Sequence, residues 1–116
     1  MKGRSRIQSV ALLQQRRQKL LGKAASLWLL ICGSCFERFS TCSRPQCTCH
    51  KGQRHGPRTY VVVREQKTQK QHYVPREQVK TVEKGIRQYH RLLEIVSEVT
   101  RINLELMRRS ALNETR

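Results

Sequence analysis

The chain has 116 residues, which bounds it to a single domain's worth of core. It carries 24 Lys and Arg against 8 acids, a net charge of +16, and every acid is Glu. Such a field attracts polyanions, above all the phosphate backbone of nucleic acid, and the absence of Asp excludes two-metal catalytic sites built on an Asp/Glu triad.

The excess is uneven. Residues 1–59 hold 12 Lys and Arg with one acid, Glu37, whereas residues 60–116 hold 12 with seven Glu. Residues 5–31 are expected to form a helix, because Ile7, Val10, Ala11, Leu21, Ala24, Ala25 and Trp28 recur at spacings of three and four. Gln14, Arg16, Arg17 and Gln18 dilute its middle, and Gly33-Ser34 reads as its stop. The apolar run Ala24–Cys32 is about half the roughly 20 residues a membrane helix needs. It also begins too far along the chain for a signal peptide. We therefore expect no membrane partner and a reducing, cytoplasmic setting in which thiols stay free to bind metal.

Residues 35–41 suggest a short strand. Tyr60-Val61-Val62-Val63 is a clear strand from its aromatic and β-branched content, and Gln71-His72-Tyr73-Val74 suggests the return strand. Between them, Glu65–Thr68 lacks the Asn-Gly or Asp-Gly of a tight hairpin, so a longer and looser turn is expected. Pro75 opens a long helix whose apolar series is Val79, Val82, Ile86, Tyr89, Leu92, Leu93, Val96, Val99, Ile102 and Leu106. A helix from 76 to 110 is about 50 Å long. Its stripe must pack on the first helix, on a second copy or on another protein. The expected class is α+β: an N-terminal helix, a small antiparallel sheet of two or three strands with a metal loop, and a long C-terminal helix. The expected segments, all in one domain, are 1–32, 33–75 and 76–112.

Residues 42–57 carry the chemistry. Cys42, Cys47, Cys49, His50 and His55 fall within fourteen residues. Thiolate and imidazole are the ligands that tetrahedral zinc takes, and Pro45 turns the gap between Cys42 and Cys47. The preferred set is Cys42, Cys47, Cys49 and His55, with His50 as an alternative ligand; an iron–sulfur cluster and unligated thiols are the other readings. Cys32 and Cys35 form a second pair, read as incidental. Arg38, Arg44, Lys51, Arg54 and Arg58 lie in or beside this loop and are the candidate nucleic-acid contacts. Phe36, Phe39 and Tyr60 are of a type that stacks bases, but core packing is their expected use.

Several of these residues together resemble a known family. Gly33-Ser34-Cys35-Phe36-Glu37-Arg38-Phe39, Cys42-Ser-Arg-Pro45-Gln-Cys47-Thr-Cys49, His55-Gly56-Pro57, Tyr73-Val74-Pro75 and Ile102-Asn-Leu-Glu-Leu106 are similar to small bacterial proteins that carry a domain of unknown function. Members are encoded in or beside transposons and are often labelled transposase-associated. The resemblance covers about residues 33–109 and implies a mobile-element context, with a transposase as a partner. Departures are Ser43 in place of a glycine, Arg58 in place of an aromatic and Gln66 in place of the hairpin glycine.

Catalysis is not expected. Without Asp there is no Asp/Glu triad for two-metal strand transfer. No His-x-His motif accompanies Tyr89, and the His-x-Glu with Pro-Cys-x-x-Cys of zinc deaminases is missing. The expected role is a zinc-stabilised, nucleic-acid-binding accessory protein, for DNA rather than RNA, that forms a homo-oligomer through its long helix. The alternative is a helical adaptor that dimerises or docks a transposase without touching DNA.

Overall fold

In the computed structural model, residues 8–40, 46 and 55–114 are described. The fold is α+β, as the sequence leads one to expect: helix α1 (Val10–Ala25), strands β1 (Gly33–Ser40), β2 (His55–Glu65) and β3 (Thr68–Val74), a 3-10 turn (Arg76–Gln78) and helix α2 (Val79–Arg108). The chain divides into two compact units, one made of the segments up to Trp28 and from His90 onward, the other of Leu29–Tyr89.

The helical unit starts at Ser9, whose hydroxyl accepts the Leu12 N–H at 3.1 Å and caps α1. The helix stops at Ala25, six residues before the expected end. There Ser26 donates its hydroxyl to the Lys23 carbonyl at 2.7 Å, and the amides of Ser26 and Leu27 turn back on Lys23 and Ala24. These i→i+3 bonds tighten the last turn and use up carbonyls that a longer helix would need. Leu13 and Leu20 of α1 pack with Ile95, Ile102 and Leu106 of α2, flanked by Val10, Leu27 and Val99. The residues that dilute the middle of α1 have work across this interface. Arg16 pairs with Glu98 at 2.8 Å, holding that carboxyl below its usual range, and Arg17 donates to Asn103 Oδ1 at 2.6 Å. The α2 end is a Schellman motif. Ser110 is left-handed (φ 57°), its amide reaches Met107 O at 2.9 Å, and the Ala111 amide reaches Leu106 O at 2.7 Å.

The sheet unit is antiparallel, in the order β1-β2-β3. One face holds the buried residues of the sheet: Cys35 and Val61 are register partners there, and Val61 and Val74 are buried. In the same unit Gly85 of α2 is buried, and Ile31 donates its amide to the Gly85 carbonyl at 3.1 Å. A Cβ on Gly85 would lie 3.0 Å from the Ile31 side chain, so glycine permits this approach.

The expected loose turn is not what forms. Glu65 pairs with Thr68, leaving Gln66-Lys67 as a two-residue connection. Gln66 supplies the left-handed residue itself (φ 58°), and Thr68 donates its hydroxyl to the Glu65 carbonyl at 3.1 Å. A side chain in that region costs about 1–2 kcal/mol, which glycine avoids at the expense of a more flexible unfolded chain. Gln66→Gly should therefore raise the unfolding free energy by about 0.5–1 kcal/mol, read as a higher denaturation midpoint. A lower midpoint would show that the turn is not strained.

Candidate nucleic-acid interface

The second face of the sheet is where charge and aromatic surface meet. Side chains alternate along a strand, and register partners share a face. Phe36 pairs with Tyr60, and Tyr60 with Tyr73, so three rings cross the sheet in a row. Phe36 and Tyr60 stack nearly parallel with centroids 5.7 Å apart, and Tyr73 meets Tyr60 edge-on at 5.9 Å. Phe36 and Tyr60 are half-buried, and Tyr73 is 56% exposed. Core packing was the expected use of Phe36 and Tyr60. The core of this unit instead lies on the opposite face, because the alternation that buries Val61 and Val74 turns Phe36 and Tyr60 away from it.

Arg38 lies over this row. Its Cζ is 5.2 Å from the Tyr60 centroid and 5.7 Å from that of Phe36, and its guanidinium donates to Gln71 Oε1 at 3.1 Å. Arg38 and Arg58 are register partners, and Arg64 lies on the same face further along β2. Among the described strand residues this face carries Arg38, Arg58 and Arg64 and no acid. The acids go elsewhere. Glu65 sits on the other face, paired with His72 at 3.1 Å and Lys70 at 3.5 Å, and the His72 hydrogen bond leads in lowering its pKa.

At the end of the sheet a cleft of about 520 Å³ opens beside Tyr73. Arg58, Arg76 and Lys80 line it, with Glu37 as the single acid. All four of these charged residues are exposed, so the cleft is wet and cationic.

Residues 10–84 match the family described as a domain of unknown function (DUF6788). The chain belongs to this family. The matched span contains α1, all three strands and the first residues of α2, so the aromatic row, its arginines and the cleft all lie within the DUF6788 domain. The helix beyond Lys84 lies outside it. No curated protein and no solved structure matches the chain.

The other expected site residues divide sharply. Arg38 and Arg58 come together on the open face of the DUF6788 sheet. Cys42, Cys47 and Cys49, together with Arg44, Lys51 and Arg54, lie outside the described residues. His55 is the first residue of β2, and its backbone pairs with Ser40 across a register shift that follows Arg38. Among the described residues, no group of three or more His, Cys, Asp or Glu is placed to hold a metal. Cys32 is exposed and Cys35 is half-buried, both as free thiols. Burial first, and then the nearby Glu83 carboxylate, push the Cys35 thiol above its usual range, which disfavours the thiolate needed for ligation or attack. Cys32 hydrogen-bonds Tyr89, whose phenol is raised by that contact. Among the described residues, no helix is long and apolar enough to cross a membrane.

Sequence reasoning missed Tyr73, Arg76 and Lys80. Tyr73 had a signal, since it falls in phase with Gln71 on the return strand. Its place beside Tyr60 depends on the register, which the two-residue turn sets.

Proposed function

We propose that this chain is a non-catalytic nucleic-acid-binding protein, an accessory of a mobile element, whose binding surface is the open face of the sheet. One observation carries the reading: that face brings three arginines and a row of aromatic rings together with no acid among the described strand residues. Arginines positioned this way neutralise phosphates, and aromatic rings add contacts that simple counter-charge lacks. The mobile-element context comes from the resemblance set out above, and a transposase is the partner it implies. The reading places the protein in the reducing cytoplasm and on DNA rather than RNA.

The connection between β1 and β2 belongs to the same proposal. Cys42, Cys47, Cys49 and His55 hold a zinc ion there, and Arg44, Lys51 and Arg54 extend the cationic surface. The pairing of Ser40 with His55 supports this, because it sets the two ends of the Cys-rich segment side by side and lowers the entropic cost of gathering its ligands. When bound, zinc would supply fold stability rather than reaction chemistry.

Affinity for a labelled oligonucleotide should fall about a thousand-fold between 50 and 200 mM salt, and the purified protein should carry about one zinc per chain. Cys47→Ser should lower zinc content and melting temperature together, because ligation energy is folding energy. A flat salt response would overturn the nucleic-acid reading, and a melting temperature indifferent to chelator would overturn the zinc site.

A second reading has its own observation. Leu93, Val96, Leu104 and Met107 of α2 are each about half exposed, on the helix face away from α1. This stripe supports a homo-oligomer formed through the long helix, or an adaptor that docks a transposase without binding DNA. A stable complex with no oligonucleotide affinity would favour the adaptor.

A further inference from the structure

We infer that the open sheet face selects single-stranded over duplex nucleic acid, with one base stacked on the Tyr73 ring, another on the Arg38 guanidinium, and a backbone phosphate held in the cleft by Arg58, Arg76 and Lys80. This inference rests on the nucleic-acid reading and narrows it to the state of the strand.

Three features carry it. The first is the availability of flat surface. Tyr73 is the most exposed ring of the row, at 56%, and nothing described covers its outer side. An exposed ring gains from nucleic acid only by stacking on a base. In a duplex both faces of every internal base are already stacked on neighbours, whereas a single strand leaves them free.

The second is the way Arg38 is held. A free arginine swings to meet a phosphate. Arg38 is instead laid across Phe36 and Tyr60 at 5.7 and 5.2 Å and fixed by Gln71 at 3.1 Å. Its guanidinium is held over the rings before any ligand arrives, so it adds a second flat surface to the aromatic row. Gln71 and Gln69 stand exposed on the same face and offer amide donors and acceptors to base edges.

The third is shape. A major groove about 12 Å wide admits a helix or a two-stranded ribbon. Three strands place the outer strand axes about 10 Å apart before their side chains are counted, so this face cannot enter the groove broadside. A flexible strand can lie across it. The cleft beside Tyr73 then falls where the phosphate of the stacked nucleotide would be, and Arg58, Arg76 and Lys80 outweigh Glu37 there. Cross-strand pairing of rings also stabilises a sheet, but that role leaves Tyr73 indifferent to ligand.

The test compares fluorescein-labelled oligo(dT) with the same strand annealed to oligo(dA), at one salt concentration, by anisotropy. Wild type should prefer the single strand. Tyr73→Ala should weaken oligo(dT) binding about 10-fold and Tyr73→Phe should restore it. Arg38→Lys, which keeps the charge and loses the plane, should weaken it about 5-fold. Each change should weaken duplex affinity less than it weakens oligo(dT) affinity, and Tyr73 is exposed enough that its variants fold. Equal affinity for the two forms, or Tyr73→Ala and Tyr73→Phe binding oligo(dT) alike, would overturn the inference and leave a nucleic-acid binder that works by phosphate contacts alone. Absence of binding to either form would overturn the underlying reading as well.

Discussion

Replacing Leu106 with alanine should lower the unfolding free energy by about 3 kcal/mol. The side chain is 0% exposed and sits in the cluster with Leu13, Leu20, Ile95 and Ile102. Its loss combines the transfer energy of the removed carbons with the cavity left behind, and large-to-small changes at such sites cost about 2–5 kcal/mol. Two circumstances keep the cavity open. The described part of this core is built from only α1 and the latter part of α2 with their flanking residues, so few side chains are free to shift into the space. The backbone at 106 is also tied, because its carbonyl receives the Ala111 amide that closes the helix. A small domain has about 5–15 kcal/mol in all, so the substitution removes a large share. Urea unfolding followed by far-UV circular dichroism should show a lower midpoint with an unchanged slope. Leu104→Ala serves as the contrast. That side chain is about half exposed and should cost less than about 1 kcal/mol. Similar losses for the two would mean that the stripe facing α1 is not the one assigned.

Gly33→Ala should destabilise the sheet unit by about 1–3 kcal/mol, through crowding rather than backbone strain. Gly33 opens β1 opposite Val63. A Cβ there would lie 2.4 Å from the Val62 carbonyl oxygen and 2.9 Å from Val63 Cγ1. The nearer atom is backbone, so no rotamer change relieves the clash, and the first rung of the β1–β2 ladder must move. Because the residue ends its strand, that rung can part without the rest, which limits the cost. Hydrogen exchange should show lost protection near Gly33 and Val63, with the pairing of Phe36 and Tyr60 retained. Wild-type protection at those positions in Gly33→Ala would mean that the strand accommodates a methyl group there.

The elements were legible where a single periodicity governs them. Strand β2 announced itself through Tyr60–Val63, and α2 through a stripe that runs nearly its whole length. What the stripe did not reveal is which of its sides meets α1. The expected series passed through Leu92, Leu93 and Val96 and omitted Ile95, which is 1% exposed and among the most buried residues of the unit. The apolar face of α2 is wider than one contact needs, so spacing alone admits two stripes. Packing chooses Ile95, Val99, Ile102 and Leu106. The end of α1 was misplaced for a related reason: apolar residues continue to Ile31, yet hydroxyl and amide bonds at Ser26 close the helix first. The candidate interface was half legible. Arg38 and Arg58 were named from sequence, but their meeting with Tyr73 depends on strand register, and register follows from a turn for which Gln66 gives no sequence signal.

The division of the chain into units bears on the order in which it folds. The sheet unit is continuous from Leu29 to Tyr89, so all its contacts are available once that stretch has left the ribosome. The helical unit joins the segment ending at Trp28 to the one beginning at His90, and the Ala111 amide closes its last turn. Until α2 is complete, Leu13 and Leu20 of α1 have no Ile95 or Leu106 to cover them. Closing a loop this long costs entropy that grows only slowly with its length, and sheet structure already formed within the intervening sequence lowers that cost. During synthesis α1 therefore stays uncovered until the latter part of α2 has emerged, although α1 is made before the sheet.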